Sequence, residues 1–75
     1  MTRHETPAEY ITRLAWPRQW TVDTVCQTAA ELRGAARAAD VLGHDQTAEE
    51  LRAAGTRLWD DYQAHRAATA GRTAA

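Results

Sequence analysis

The chain has no lysine, no phenylalanine and no asparagine, and it holds one isoleucine, one cysteine and two prolines in 75 residues. Each shortage excludes something. With Cys26 as the single thiol, no disulfide can staple the fold from within. The same count rules out a sulfur-rich zinc site. No apolar run is long enough to span a bilayer, and no basic start leads into the short apolar stretch that directs secretion. The expected location is therefore the cytoplasm. A formal net charge of −1 leaves no surplus of cations for strong nonspecific attachment to nucleic acid. The four glycines, Gly34, Gly43, Gly55 and Gly71, are scattered and form no phosphate-cradling loop.

What the chain does have is 17 alanines and nine arginines. Lysine, phenylalanine, asparagine and isoleucine use AT-rich codons, whereas alanine, glycine and arginine can be written in GC-rich ones. A GC-rich bacterial genome accounts for the whole pattern, so the missing lysines need no functional cause. The length predicts one small helical domain over residues 1–75, with loose ends at about 1–5 and 67–75. Chains below roughly 70–80 residues usually need a staple, a partner or very regular helix packing to hold a core.

Three helices are predicted. Thr6, Pro7 and Glu9 form a capping box with proline at the first helical position. A helix over about 7–15 follows, with Tyr10, Ile11, Leu14 and Ala15 on its inner side. Pro17 ends it. Thr21 caps the second helix, over about 22–41, and Asp23 complements its positive end. Val22, Val25, Cys26, Ala29, Leu32, Ala36 and Ala39 recur at helical spacing and define its buried stripe, so Cys26 is expected to be an inert core thiol. Gly43 supplies a stop. Asp45 or Thr47 caps the third helix, over about 46–67, with Thr47 and Glu50 as a second capping box. Its stripe is Ala48, Leu51, Ala54, Gly55, Leu58, Tyr62 and His65. The fold class is all-α: a long antiparallel hairpin with the short first helix across one end. Alanine-rich stripes bury little area, so two copies are expected to pair into a four-helix-type bundle through Leu32, Ala36, Leu51 and Leu58.

Two stretches echo one another. "QTAAELRGA" (27–35) and "QTAEELRAA" (46–54) agree at seven of nine positions. "LGHDQTAEELR" (42–52) resembles the turn and helix on which acyl and peptidyl carrier proteins bear a phosphopantetheine arm. Gln46 stands where that family has its arm-bearing serine, so the resemblance implies neither carrier activity nor the cofactor.

Catalytic chemistry is poorly supplied. Asp61–His65 and Asp40–His44 are one helical turn apart, but a metal needs a larger convergent set, and His4 is remote in sequence. Glu49–Glu50 and Asp60–Asp61 are adjacent, so their carboxylates point about 100° apart on a helix. No catalytic residue, cofactor or metal is expected, and the chain is read as a non-enzyme.

Recognition chemistry is better represented. Tyr10, Trp16, Trp20, Trp59 and Tyr62 are expected to cluster at the open end of the hairpin. Trp16, Arg18, Trp20, Arg57 and Trp59 are the candidate partner-binding residues, because tryptophan, tyrosine and arginine dominate binding hot spots. The expected function is a non-catalytic protein–protein interaction module: a small bacterial adaptor, regulator, inhibitor or accessory subunit. The alternative is a small DNA-binding regulator that uses Arg33 and Arg37, one turn apart. Ala39 and Gly43 suit a helix-turn-helix, but His44, Glu49 and Arg52 occupy positions which that motif buries. Glu31 and Asp40 are the expected intrahelical ion partners of the two arginines.

Overall fold

A computed structural model describes residues 4–73, with side chains to residue 71. The order is α1 (Pro7–Ala15), α2 (Val22–Val41) and α3 (Asp45–Thr73), with no strand among the described residues. α2 and α3 pack as an antiparallel hairpin.

Local signals start the first two helices. The Thr6 hydroxyl accepts from the Glu9 N–H at 3.1 Å, and the Glu9 carboxylate accepts from the Thr6 N–H at 3.5 Å. Thr21 and Thr24 make the equivalent reciprocal bonds at the start of α2. α2 ends in a Schellman closure: Gly43 N–H donates to Asp40 O at 3.1 Å, and His44 N–H donates to Ala39 O at 2.8 Å. Gly43 has φ 81°, a left-handed backbone that glycine adopts without a steric cost.

Three residues, Leu42, Gly43 and His44, separate α2 from α3. So short a turn changes the start of α3. Asp45 is its first residue and Thr47 lies inside the first turn, so neither acts as the expected cap. The first intrahelical bond instead runs from Ala48 N–H to His44 O at 3.0 Å.

The core is the α2–α3 seam. Val25, Leu32, Leu51 and Leu58 are at most 1 % exposed, and Ala29, Ala36, Ala39, Ala48 and Ala54 fill the space between them. Alanines let the two backbones approach closely. The two echoed segments behave alike. Leu32 and Leu51 are both core residues, and Gln27–Glu31 and Gln46–Glu50 form matching hydrogen bonds one turn apart.

Four expectations need correction. First, α1 does not lie across an end. Its Pro7 and Ile11 line one cleft with Leu42 and His44 at the turn, and its last carbonyl, Ala15 O, accepts from the Thr28 hydroxyl at 2.7 Å. α1 thus runs along one side of the hairpin, from the turn towards the open end. Second, its inner face is Ala8 and Thr12, with Ile11 and Ala15 partly buried, while Tyr10 and Leu14 point outwards. A helix that lies along the groove of a helix pair presents small side chains to it. Third, Cys26 and Val22 are exposed. Cys26 is about 100° around the helix from the fully buried Val25, and Val22 is the first residue of α2, at the uncovered end. Fourth, α3 continues past 67 to Thr73, since alanine-rich sequence propagates an existing helix at little cost. Of the expected loose start, residues 1–3 lie outside the described residues, and Glu5 is tied to Arg13. Of the expected loose end, residues 74–75 lie outside them as well.

Candidate functional site

α1 covers one side of the hairpin, and the candidate residues fall mainly on two surfaces. The first is at the open end. Pro17 ends α1, and the short link to Thr21 presents Trp16 and Trp20, both half-buried against the core. Their rings meet edge to face at 6.1 Å. The Arg57 guanidinium of α3 lies 4.9 Å over the Trp16 ring, and His65 stacks on Trp20 at 6.2 Å. Arg18 is exposed beside them. Indole faces attract cations, so Arg57 and Trp16 hold each other in place.

The expected aromatic cluster is therefore divided. Trp59 is exposed and packs edge to face with Tyr62 at 6.1 Å, while Tyr62 itself lies against the core beside which Trp16 and Trp20 pack. Tyr10 is on α1, under the Arg13 guanidinium at 5.3 Å. The expected partner-binding residues are divided as well. Arg57 and Trp59 are separated by about 200° around α3, so they cannot share one surface.

The second surface is the side of the α2–α3 seam away from α1. A groove of about 420 Å³ runs there, with Arg33, Arg37 and Asp40 of α2 on one wall and Arg52, Thr56 and Trp59 of α3 on the other. Leu32, Ala36, Leu51 and Gly55 lie beneath. Asp40 pairs with Arg52 across the seam, and Glu31 accepts from Gln27. The expected ion pairs from Arg33 and Arg37 to Glu31 and Asp40 are absent, which leaves both guanidiniums exposed and without an ionic partner in the described chain. The sequence could not show this, because the competing partner of Asp40 comes from another helix.

The four residues expected at a dimer interface are already core residues of one chain. Leu32, Ala36, Leu51 and Leu58 are enclosed within one chain, with at most 3 % exposure. They offer no free surface to a second copy while the helices stay together. Their apolar neighbours come from α1 and from the opposite helix instead.

Two buried hydroxyls also escaped sequence reasoning. Thr28 is 3 % exposed and satisfies the end of α1. Thr12 is 8 % exposed on its inner face. Threonine at a helical core position is legible as a sequence signal, but its bond to another element is not.

The ionisable groups show one clear perturbation. Glu5 accepts two bonds from Arg13, at 2.9 and 3.2 Å. Hydrogen bonding to Arg13 holds the Glu5 carboxyl below its ordinary value and raises the Arg13 guanidinium above its own. The pair is a surface clamp on α1. Among the described residues, no three metal-ligating side chains converge, and no helix is long and apolar enough to cross a membrane.

No protein-family model matches the chain, and no curated protein or solved structure does so either.

Proposed function

We propose that the protein is a non-catalytic interaction module, a small bacterial adaptor, regulator, inhibitor or accessory subunit that works in the cytoplasm by binding another protein. The observation that carries this reading is the Arg57–Trp16–Trp20 arrangement. Two half-exposed indoles and a guanidinium are held in fixed geometry at the surface by a closed core. Tryptophan loses little conformational entropy on binding, and the contact over the Trp16 ring already restrains Arg57 before any partner arrives. Pairing of two copies into a four-helix-type bundle would have to use outer surfaces such as the open groove.

The DNA-binding alternative draws on the unpaired Arg33 and Arg37. It is opposed by the net charge of −1 and by the exposed carboxylates of Asp45 and Glu49 on α3.

The test is affinity capture from the cells that make the protein, with and without nuclease. One stoichiometric protein that survives nuclease supports the reading. Arg57→Ala should then weaken capture while shifting stability by less than about 1 kcal/mol, the scale of an exposed cation–π contact. Recovery of nucleic acid, with every protein lost on digestion, would favour the alternative. If capture by Arg57→Ala and Trp16→Ala falls only as far as their folded fraction falls, the aromatics serve as a plug and not as contacts.

A further inference from the structure

We propose that the open α2–α3 groove seats one acidic, amphipathic α-helix of the partner protein. The proposal rests on the interaction-module reading and adds the partner's chemistry and its docking place.

Charge gives the sign. Three guanidiniums, from Arg33, Arg37 and Arg52, line the groove against one carboxylate, Asp40, which Arg52 already engages. The whole chain carries −1, so this cationic strip is a local feature. Arg33 and Arg37 are one turn apart on a single helix face, the spacing at which two carboxylates of a facing helix are presented.

Shape gives the element. The groove follows α2 from Ala29 to Asp40, about 17 Å or three helical turns. Such a length matches an i, i+3/i+4, i+7 set of anchors. Gly55 lies in this groove, in the interior of α3, where glycine weakens a helix relative to alanine. As at Gly34, a Cβ there would meet no atom within 4 Å, so the floor of the groove is open at this point. A glycine at that point lets a partner backbone come close. Trp59, 38 % exposed, offers an apolar contact on the α3 wall.

Two other occupants fit less well. A second copy joined groove to groove by a two-fold axis would set the same cationic strip against itself. Duplex nucleic acid needs a broader cationic surface than three arginines on a chain of net negative charge.

The experiment is an NMR titration of the full ¹⁵N-labelled chain under reducing conditions. The probe is a designed helical peptide of about 18 residues, roughly five turns, with leucine and alanine along one face and glutamate flanking it. A lysine-flanked version of the peptide and a short DNA duplex are run beside it. The acidic peptide should shift amides of residues 29–40 and 52–59 and, of the three indole N–H signals, mainly that of Trp59. Arg33→Glu with Arg37→Glu should weaken it at least about tenfold and make the lysine peptide bind. Gly55→Leu keeps every charge and should abolish binding with helicity unchanged.

The proposal is overturned by any of four results: no groove shifts with the acidic peptide at about 1 mM; equal shifts from the lysine peptide; stronger shifts from the duplex; or groove signals that move with protein concentration alone, which would identify a second copy. If the groove fails while the captured partner still depends on Arg57 and Trp16, only the groove assignment falls. If no protein is captured at all, it is the interaction-module reading that has failed.

Discussion

Gly34 and Gly43 show how little a residue's type says without its backbone. Gly43 sits at φ 81° and closes α2, whereas Gly34 lies inside α2 with open space where a side chain would go. An L-residue forced into the left-handed region costs about 1–2 kcal/mol. A helical glycine replaced by alanine gains about 0.5–1 kcal/mol. Gly43→Ala should therefore lower the melting temperature and Gly34→Ala should raise it. At this chain length the shifts should be several degrees each, at about 4–8 °C per kcal/mol. Thermal melts followed by circular dichroism check both signs. Equal shifts in one direction would contradict the assigned turn. Cys26 and Thr28 teach the same lesson. They are two positions apart on α2, yet one is exposed and the other is buried and bonded to Ala15.

Among the elements, α1 is the one whose place depends on a few specific bonds. Its capping box starts it, Thr28 holds its last carbonyl, and Glu5 reaches forward to Arg13. Because the folded Glu5 carboxyl sits below its ordinary value of 4.5, its contribution to stability is present above that value. It is lost as pH falls through the lower folded value. The pair is exposed, so the effect on global stability should be slight. The titration itself is the sharper readout. The Glu5 side-chain ¹³C signal should reach its midpoint below 4.5, and Arg13→Gln should return it towards that value. An unchanged midpoint in the variant would show that the clamp does not form in solution. α3 is the opposite case. Its residues 63–71 are exposed and extend beyond the buried seam, with His65 stacked on Trp20 and the rest carried mainly by helix propensity.

The whole molecule is long and thin. Its radius of gyration is 14.5 Å and its longest extent is 50 Å. A compact chain of this length would have a radius near 11 Å. The core is nevertheless closed within one chain, because α1 lies along the hairpin and the alanine seam draws α2 and α3 together. Leu58 is fully buried, and Leu58→Ala should cost about 2–5 kcal/mol, a large part of the stability of so small a fold. The melting temperature of the unaltered chain should not depend on protein concentration. A rise in melting temperature with concentration would show that folding is coupled to self-association, and the alanine-rich core would then be incomplete in one copy.

The sequence by itself determined the helices: their number, their order, two of their caps and the glycine stop, since capping and helical periodicity are properties of neighbours within a turn or so. It also determined which leucines of the two long helices are buried, because Leu32, Leu51 and Leu58 recur on one stripe of each, whereas Leu14 of α1, expected on the inner side, points outwards. The tertiary structure decided the rest. Whether α1 crosses the end or runs along the side depends on Ala15 meeting Thr28, a pairing between distant positions. Whether the five aromatics gather depends on how the helices are set together: Trp16, Trp20 and Tyr62 pack against the core, whereas Tyr10 and Trp59 are exposed. Whether Asp40 neutralises Arg37, three residues before it, depends on which helix reaches it, and Arg52 of α3 does so. The ion pair between Arg52 and Asp40 crosses from one helix to the other, and no property of α2 alone could show that it leaves Arg37 without that partner.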